Sequence, residues 1–233
     1  MSSANLKLVV FDWDGTLVDS TRAIVIAMQH AAADLGLPVP SSQQAAHVIG
    51  LGLHDALRLA VPSLTAERLP AYIERYRVHY LSRDAQLGAF EGIEPMLDAL
   101  EQAGVAMAVA TGKSRQGLDR ALSQFDWRRR FVATRCADEG EPKPHPWMLE
   151  DLALELGLEP ADMLMVGDTT HDLGMARAAG ASAIGVTYGA HDRVQLLLEP
   201  ALALVDDVPS LRSQLFTRMG TVDPQRQPTG GAT

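Results

Sequence analysis

Asp12 and Asp14 stand two residues apart in the stretch FDWDGTLVDS, residues 11–20, with Gly15 directly behind them. Two carboxylates at that spacing, beside a residue free to turn sharply, can face one ligand and suit a metal ion together with a nucleophile. The local alternative is an Asx-rich turn, since Asp and Gly close strands for purely conformational reasons. Three further polar sets bear on the choice: Thr111-Gly112-Lys113-Ser114, Glu141-Pro142-Lys143-Pro144, and GDTTHD at 167–172, which holds Asp168 and Asp172. Carboxylates without His or Cys neighbours suit a hard, oxygen-preferring cation such as Mg²⁺ rather than zinc. A helix opening after Thr111 and Gly112 would offer free N–H groups to a phosphate. Lys143, set between two prolines, would add a point charge for the same anion.

These residues need a scaffold that brings them to one rim. Residues 6–11, LKLVVF, read as a buried strand that ends where the carboxylates begin. From Ser20 to about Asp84 the pattern is helical, with Ile24, Met28, Ala31 and Leu35 on one face and Gly36 and Pro38 as stops. A short helix is expected after Ser41 and Ser42, then the turn Gly50-Leu51-Gly52, then helices over 54–59 and 67–81. Residues 20–88 are too many for a loop between strands and should form a small bundle over the first strand's end.

Past Gly88 helices and strands alternate: helix 95–102, strand 105–110, a helix to 125, strand 131–134, helix 146–156, strand 163–166, and a helix ending at Gly180. Strand 183–186, helix 194–198, strand 202–205 and helix 209–216 close the series. The alternation predicts an α/β fold with a doubly wound, mainly parallel, Rossmann-like sheet built from 1–19 and 89–220. An all-α cap at 20–88 interrupts it, and a disordered tail is expected over 221–233. Open sheets bind ligands beyond the carboxyl ends of their strands, where Asp12, Asp14, Thr111 and Asp168 would all fall.

With 233 residues, 47% of them hydrophobic, the chain can bury one good core plus a smaller unit. No run approaches the roughly 18 apolar residues of a membrane span, and the N-terminus lacks a basic segment followed by an apolar core. A soluble cytoplasmic protein without a membrane partner is expected. The single Cys136 can form no internal disulfide and reads as a buried spectator. A net charge of −9 argues against a broad grip on nucleic acid, and Arg128, Arg129 and Arg130 read as a solvated corner.

FDWDGTLVDS, the strand ending in ATGKS, the PKP loop and the GDTTHD box resemble, in order and spacing, the four motifs of the haloacid dehalogenase-like hydrolase superfamily. The resemblance runs from about residue 7 to 189. The helical insert after the first motif resembles the cap of the phosphoglycolate phosphatase-like branch, and IGLGLHDAL at 49–57 resembles that branch's cap loop. The resemblance implies that Asp12 attacks phosphorus to give an aspartyl-phosphate, while Asp14 protonates the leaving oxygen and later deprotonates water. It implies Mg²⁺ held by Asp12, the backbone carbonyl of Asp14, and Asp168, with Asp172 orienting metal-bound water or Lys143. Thr111, Gly112 and Lys143 would grip the transferring phosphoryl group.

The implied activity is hydrolysis of a small phosphomonoester, phosphoglycolate-like or a sugar phosphate, with monomer and dimer both open. Gly50 and His54 would meet the substrate's non-phosphoryl end from the cap. The other histidines, His171 among them, show no H-E-x-x-H spacing and read as surface or capping residues. A phosphomutase of the same family remains an alternative, as does, from another class, a phospho-accepting signalling module. A P-loop kinase is excluded, because position 107 carries Met where that loop needs glycine. A dehalogenase would have no use for an acid at Asp14.

Overall fold

The computed structural model describes residues 6–224. Strands β1 (Leu8–Phe11), β2 (Ala106–Thr111), β3 (Ala133–Cys136), β4 (Met163–Gly167), β5 (Ser182–Val186) and β6 (Ala203–Val205) make one sheet in the order β3-β2-β1-β4-β5-β6. Every pairing is parallel. β1 is buried along its whole length, as its unbroken apolar run requires of a parallel strand covered on both faces. Its two neighbours set the switch point of the sheet: Phe11 lies level with Val109 of β2 and with Val166 of β4. The crevice beyond these three strand ends is where such sheets bind ligands.

Between β1 and β2 the chain builds a helical insert from α1 (Thr21–Asp34), α2 (Ser42–His47), α3 (Leu53–Ala60) and α4 (Leu69–Asp84). Its core is its own, formed by Ile24, Met28 and Ala31 of α1, Leu57 of α3 and Tyr72 of α4. The Tyr72 hydroxyl donates to the Met28 carbonyl at 2.9 Å, so the largest of these side chains is buried without an orphaned polar atom. Ser41 opens α2 with a capping box shared with Gln44. The insert hangs on a narrow stem, where Val18 pairs antiparallel with Ala89 and Asp19 N donates to Gly88 O at 3.0 Å.

Helices α5 (Ile93–Gln102), α6 (Arg115–Gln124), α7 (Trp147–Leu156), α8 (Thr170–Ala179), α9 (Arg193–Leu196) and α10 (Val208–Met219) follow the insert. Strand alternation divides them between the two faces. Val9, Phe11, Met107, Val109, Leu164 and Val166 meet α5, α6 and α10, whereas Leu8, Val10, Ala108, Ala110, Met163 and Met165 meet α7, α8 and α9. Trp13, one residue past Asp12, is buried against Phe125 and Trp127 with ring centroids at 6.0 and 5.6 Å, which anchors the loop after β1.

The strand expected over 131–134 lies instead at β3, because Arg128–Arg130 form a 3₁₀ turn and Phe131 is spent on the core beside α6. The tail expected to be disordered from 221 is held at its start by Arg212, whose Nε donates to Asp223 at 2.7 Å. Residues 225–233 lie outside the described residues. Among the described residues, no helix is long and apolar enough to cross a membrane.

Candidate active site

The loop after β1 is wrapped round Asp168. Asp12 N donates to Val166 O at 2.9 Å, continuing the β1 to β4 pairing one residue beyond the strand. Gly15 then takes φ +83°, and a Cβ there would overlap the Asp168 carboxylate, so the residue answers both a left-handed turn and a close approach. Thr16 Oγ1 donates to Asp168 Oδ1 at 2.9 Å, and Ala190 N donates to Oδ2 at 2.7 Å. Asp168 is thereby fixed from two loops.

Lys143 is fully buried and bridges two carboxylates, with Nζ 2.7 Å from Asp12 Oδ1 and 2.6 Å from Asp172 Oδ1. Asp172 sits in the first turn of α8, where its Oδ2 accepts from Thr169 N at 3.0 Å and from Thr169 Oγ1 at 2.7 Å, completing a capping box. Both its oxygens are engaged. Asp12 differs: its Oδ2 is buried and makes no hydrogen bond.

Three buried carboxylates face one buried ammonium, so the cluster carries uncompensated negative charge. Burial is the main cause that pushes Asp12 up to about 7, with Lys143 opposing and Asp172 adding to the rise. Asp168 is held well above the usual carboxylate range by burial and by Asp12 and Asp172. Burial alone would lower Lys143, but the two carboxylates overcome it and hold the ammonium charged. Asp12, Asp168 and Asp172 each offer an oxygen, all within 4.8 Å of one another. An orphaned carboxylate oxygen, excess negative charge and an all-oxygen donor set fit a hard divalent cation.

Above this cluster the insert closes a cavity of about 200 Å³, lined from the sheet side by Asp12, Asp14, Gly112 and Lys113. Thr111 ends β2 beneath it, buried, with Oγ1 accepting from Lys113 N at 3.2 Å. Asp14 Oδ1 accepts from Ser20 Oγ at 2.6 Å and lies 3.0 Å from Lys113 Nζ, which also donates to Tyr80 of α4 at 2.9 Å. Sequence reasoning missed Lys113. Its place directly after Thr111-Gly112 on the rim could have marked it, whereas Tyr80 carries no such signal.

Gly50 lines the cavity with φ +94°. His54, expected to meet the substrate's non-phosphoryl end, is exposed and does not line this cavity. α3 starts at Leu53, and its period buries Ala56 and Leu57 and leaves His54 and Asp55 outside. His171, expected to face solvent, is also placed otherwise. Its Nε2–H donates to the His47 carbonyl at 2.9 Å, and His191 Nε2–H donates to the same oxygen at 3.0 Å, joining the end of α2 to the sheet side. Cys136 is buried at the end of β3, and burial pushes its thiol up to about 12, which leaves it inert.

A family model described as haloacid dehalogenase-like hydrolase matches residues 9–186, a span that takes in all four motifs. The tyrosine-protein kinase PtkA of Mycobacterium tuberculosis is 32% identical over 96% of this chain and 72% of its own. A probable phosphatase, IndB, of Dickeya dadantii is 38% identical over 85% of this chain and 89% of its own. The crystal structure of a predicted phosphoglycolate phosphatase from Haemophilus somnus 129PT superposes with a TM-score of 0.81 at 26% identity, covering 91% of this chain and 98% of that one. The chain belongs to the haloacid dehalogenase-like hydrolase family, in a branch similar to the phosphoglycolate phosphatases.

Proposed function

We propose that this protein is a Mg²⁺-dependent phosphatase that hydrolyses a small phosphomonoester through an aspartyl-phosphate on Asp12. One observation carries the reading: Lys143 fixes one oxygen of Asp12 while the other is buried and unbonded, and Asp12 lines the floor of the cavity under the insert. A carboxylate so held has its reacting oxygen free and its rotation blocked. Asp172 is a positioning residue for Lys143, since its Oδ1 holds the ammonium while its Oδ2 is fixed by the cap of α8. Asp12, Asp168 and the carbonyl of Asp14 would hold the Mg²⁺, which when bound supplies the positive charge that lets a carboxylate approach a phosphate.

The chain's own groups cover the remaining steps. Asp12 attacks phosphorus, and the departing oxygen keeps the bonding pair and takes a proton from Asp14. Asp14 then removes a proton from water, which attacks the aspartyl-phosphate, releasing inorganic phosphate and restoring Asp12. Ser20 and Lys113 hold Asp14 at the cavity floor for both halves. Thr111, Gly112 and Lys143 would steady the transferring oxygens. A cavity of about 200 Å³ suits a small metabolite better than a phosphoprotein. One relative is named a kinase, and the dephosphorylation of Asp12 is where hydrolysis and transfer to another acceptor part company. Phosphate release from a panel of phosphomonoesters with Mg²⁺ tests the reading. Hydrolysis that survives Asp12→Asn, or a panel on which nothing is turned over, would overturn it.

A further inference from the structure

α2 ends against two imidazoles that belong to the sheet side. It is a helix of 6 residues, Ser42–His47, too short to be stable alone, and its last carbonyls have no partner within the helix. At its start the capping box of Ser41 and Gln44 fixes it from within the insert. At its end the His47 carbonyl accepts from His171 Nε2 at 2.9 Å and from His191 Nε2 at 3.0 Å, so both lone pairs are taken. The His191 tautomer is set locally, because its Nδ1 accepts from Thr170 N at 3.0 Å and leaves the proton on Nε2. The His47 ring adds a further contact, stacked on His191 with centroids 5.1 Å apart and 9° between the planes.

The chain that leaves this clasp is the cavity wall itself: Val48, Ile49, Gly50 and Leu51 all line it. Ile49 N donates to Ala46 O at 3.1 Å and Leu51 N to Val48 O at 3.3 Å, so the turn is wound directly onto the end of α2. Gly50 passes close to the root of α8, where a Cβ on it would stand 3.1 Å from Thr169 Oγ1 and 3.8 Å from the His171 ring. The two donors sit on the segments that carry the acids. His171 lies in the first turn of α8 beside Asp172, and His191 N donates to Asp168 O at 3.3 Å. Holding the His47 carbonyl on these segments therefore fixes the roof of the cavity against its floor.

We propose that His171 and His191 are positioning residues, a two-pronged clasp on the His47 carbonyl that seats the 48–51 turn over the cavity and sets how tightly substrate is held. The kinetic side of this rests on the phosphatase reading, and the seating of the turn does not. The clasp acts on binding rather than on proton transfer, since Asp14 is held by Ser20 and Lys113 instead.

His171 gives the cleaner probe, because among the described residues its side chain makes one hydrogen bond, to the His47 carbonyl. His171→Phe keeps a ring and removes the donor, and His171→Gln puts a donor back at similar reach. Hydrogen–deuterium exchange of the full chain without substrate reads the seating, and steady-state hydrolysis of p-nitrophenyl phosphate with Mg²⁺ reads the binding. In His171→Phe the Ile49 and Leu51 amides should exchange roughly two- to tenfold faster, the effect of one lost hydrogen bond, with those of β1 and β4 unmoved. KM should rise by a similar factor at unchanged kcat, as when uniform binding is lost. His171→Gln should bring both readouts back to within about twofold of the native chain. Exchange at Ile49 and Leu51 as slow in His171→Phe as in the native chain, a kcat that falls while KM holds, or a Gln variant no better than Phe overturns the inference. So does faster exchange in β1 and β4 as well, which would make the loss one of the whole fold. A native chain that turns over no ester overturns the phosphatase reading alone, and exchange then decides the clasp.

Discussion

Gly112 meets Gly50 backbone to backbone: a Cβ on Gly112 would stand 2.6 Å from the Gly50 carbonyl oxygen and as close to that of Leu51. No rotamer relieves such an overlap, because both partners are main chain. Gly112→Ala should therefore push the 50–51 turn off the sheet. The expected result is a KM raised by an order of magnitude or more, with faster proteolysis at the stem. Unchanged KM and protease resistance would show that the turn does not need this contact.

Lys143 should be the most costly single side chain of the site. Its removal leaves Asp12 and Asp172 facing each other in the interior without a counter-charge, and breaking a buried pair costs about 3–5 kcal/mol. Lys143→Met should lower the urea midpoint accordingly and abolish turnover. Asp172→Asn, which keeps both positions of the side chain's heavy atoms, should lose far less stability than Lys143→Met.

Asp14 and Asp12 can be told apart by leaving group. An alkyl phosphate needs the proton from Asp14, whereas p-nitrophenyl phosphate expels a stable phenolate and hardly does. Asp14→Asn should give a stopped-flow burst of phenolate followed by a slow steady state, with alkyl-ester turnover down by about 10² to 10⁴. Asp12→Asn should give no burst. Near-normal alkyl-ester turnover by Asp14→Asn would return that side chain to a structural role.

Metal should act on the fold as well as on the chemistry. A cation that binds only the folded chain raises Tm by mass action, and here it also relieves repulsion among Asp12, Asp168 and Asp172. Added Mg²⁺ should raise Tm, excess chelator should abolish turnover, and Asp168→Ala should lose the Tm response. Ca²⁺ should bind yet support little turnover, because its shell is larger and looser. Full activity in chelator would rule out the metal.

His191 predicts a pH effect on stability. Burial pushes it down from 6.5 to about 4, and its Nδ1 accepts from Thr170 N at 3.0 Å, a bond that only the neutral ring can accept. Above 6.5 the ring is neutral in both states and contributes no slope. As pH falls from 6.5 towards 4 the unfolded chain takes up a proton that the folded chain refuses, so stability drops, by something on the order of 1–3 kcal/mol. Urea midpoints of the native chain and of His191→Gln should converge over this window. Parallel pH profiles would refute the assignment.

The central strands were legible because they are short apolar runs closed by a polar set, as with LVVF before Asp12 and MLMVG before Asp168, whereas β3, ATRC, carries no such run and was placed two residues early. Asp12, Lys143, Asp168 and Asp172, which the structure brings together, were legible for the same reason: parallel strands must deliver their ends to one rim. What escaped depends on the insert. The contact of Tyr80 with Lys113 joins segments separated by the rest of α4, the whole of α5 and the whole of β2, and no spacing rule reaches that far. His54 escaped because Leu53 and Ala56 share the face of α3 that lines the cavity, and the next residue along a helix falls about 100° away from it. His171 and His191 escaped because their shared partner, the His47 carbonyl, is backbone and has no signature in residue types.

The stem where Val18 pairs with Ala89 gives the two acids of the first motif different mechanical fates. Asp12 is tied to Val166 and Lys143, both on the sheet side. Asp14 is tied to Ser20, the residue from which α1 departs, and through Lys113 to Tyr80 on α4. A swing of the insert about its stem would leave the contacts of Asp12 untouched and would part Lys113, the partner of Asp14, from Tyr80. On the proposed mechanism such a lid would work as an interlock: with the insert swung away, the attacking carboxylate would stay in register while the proton donor lost its hold, so reaction with whatever drifts past would be suppressed until the insert seated again.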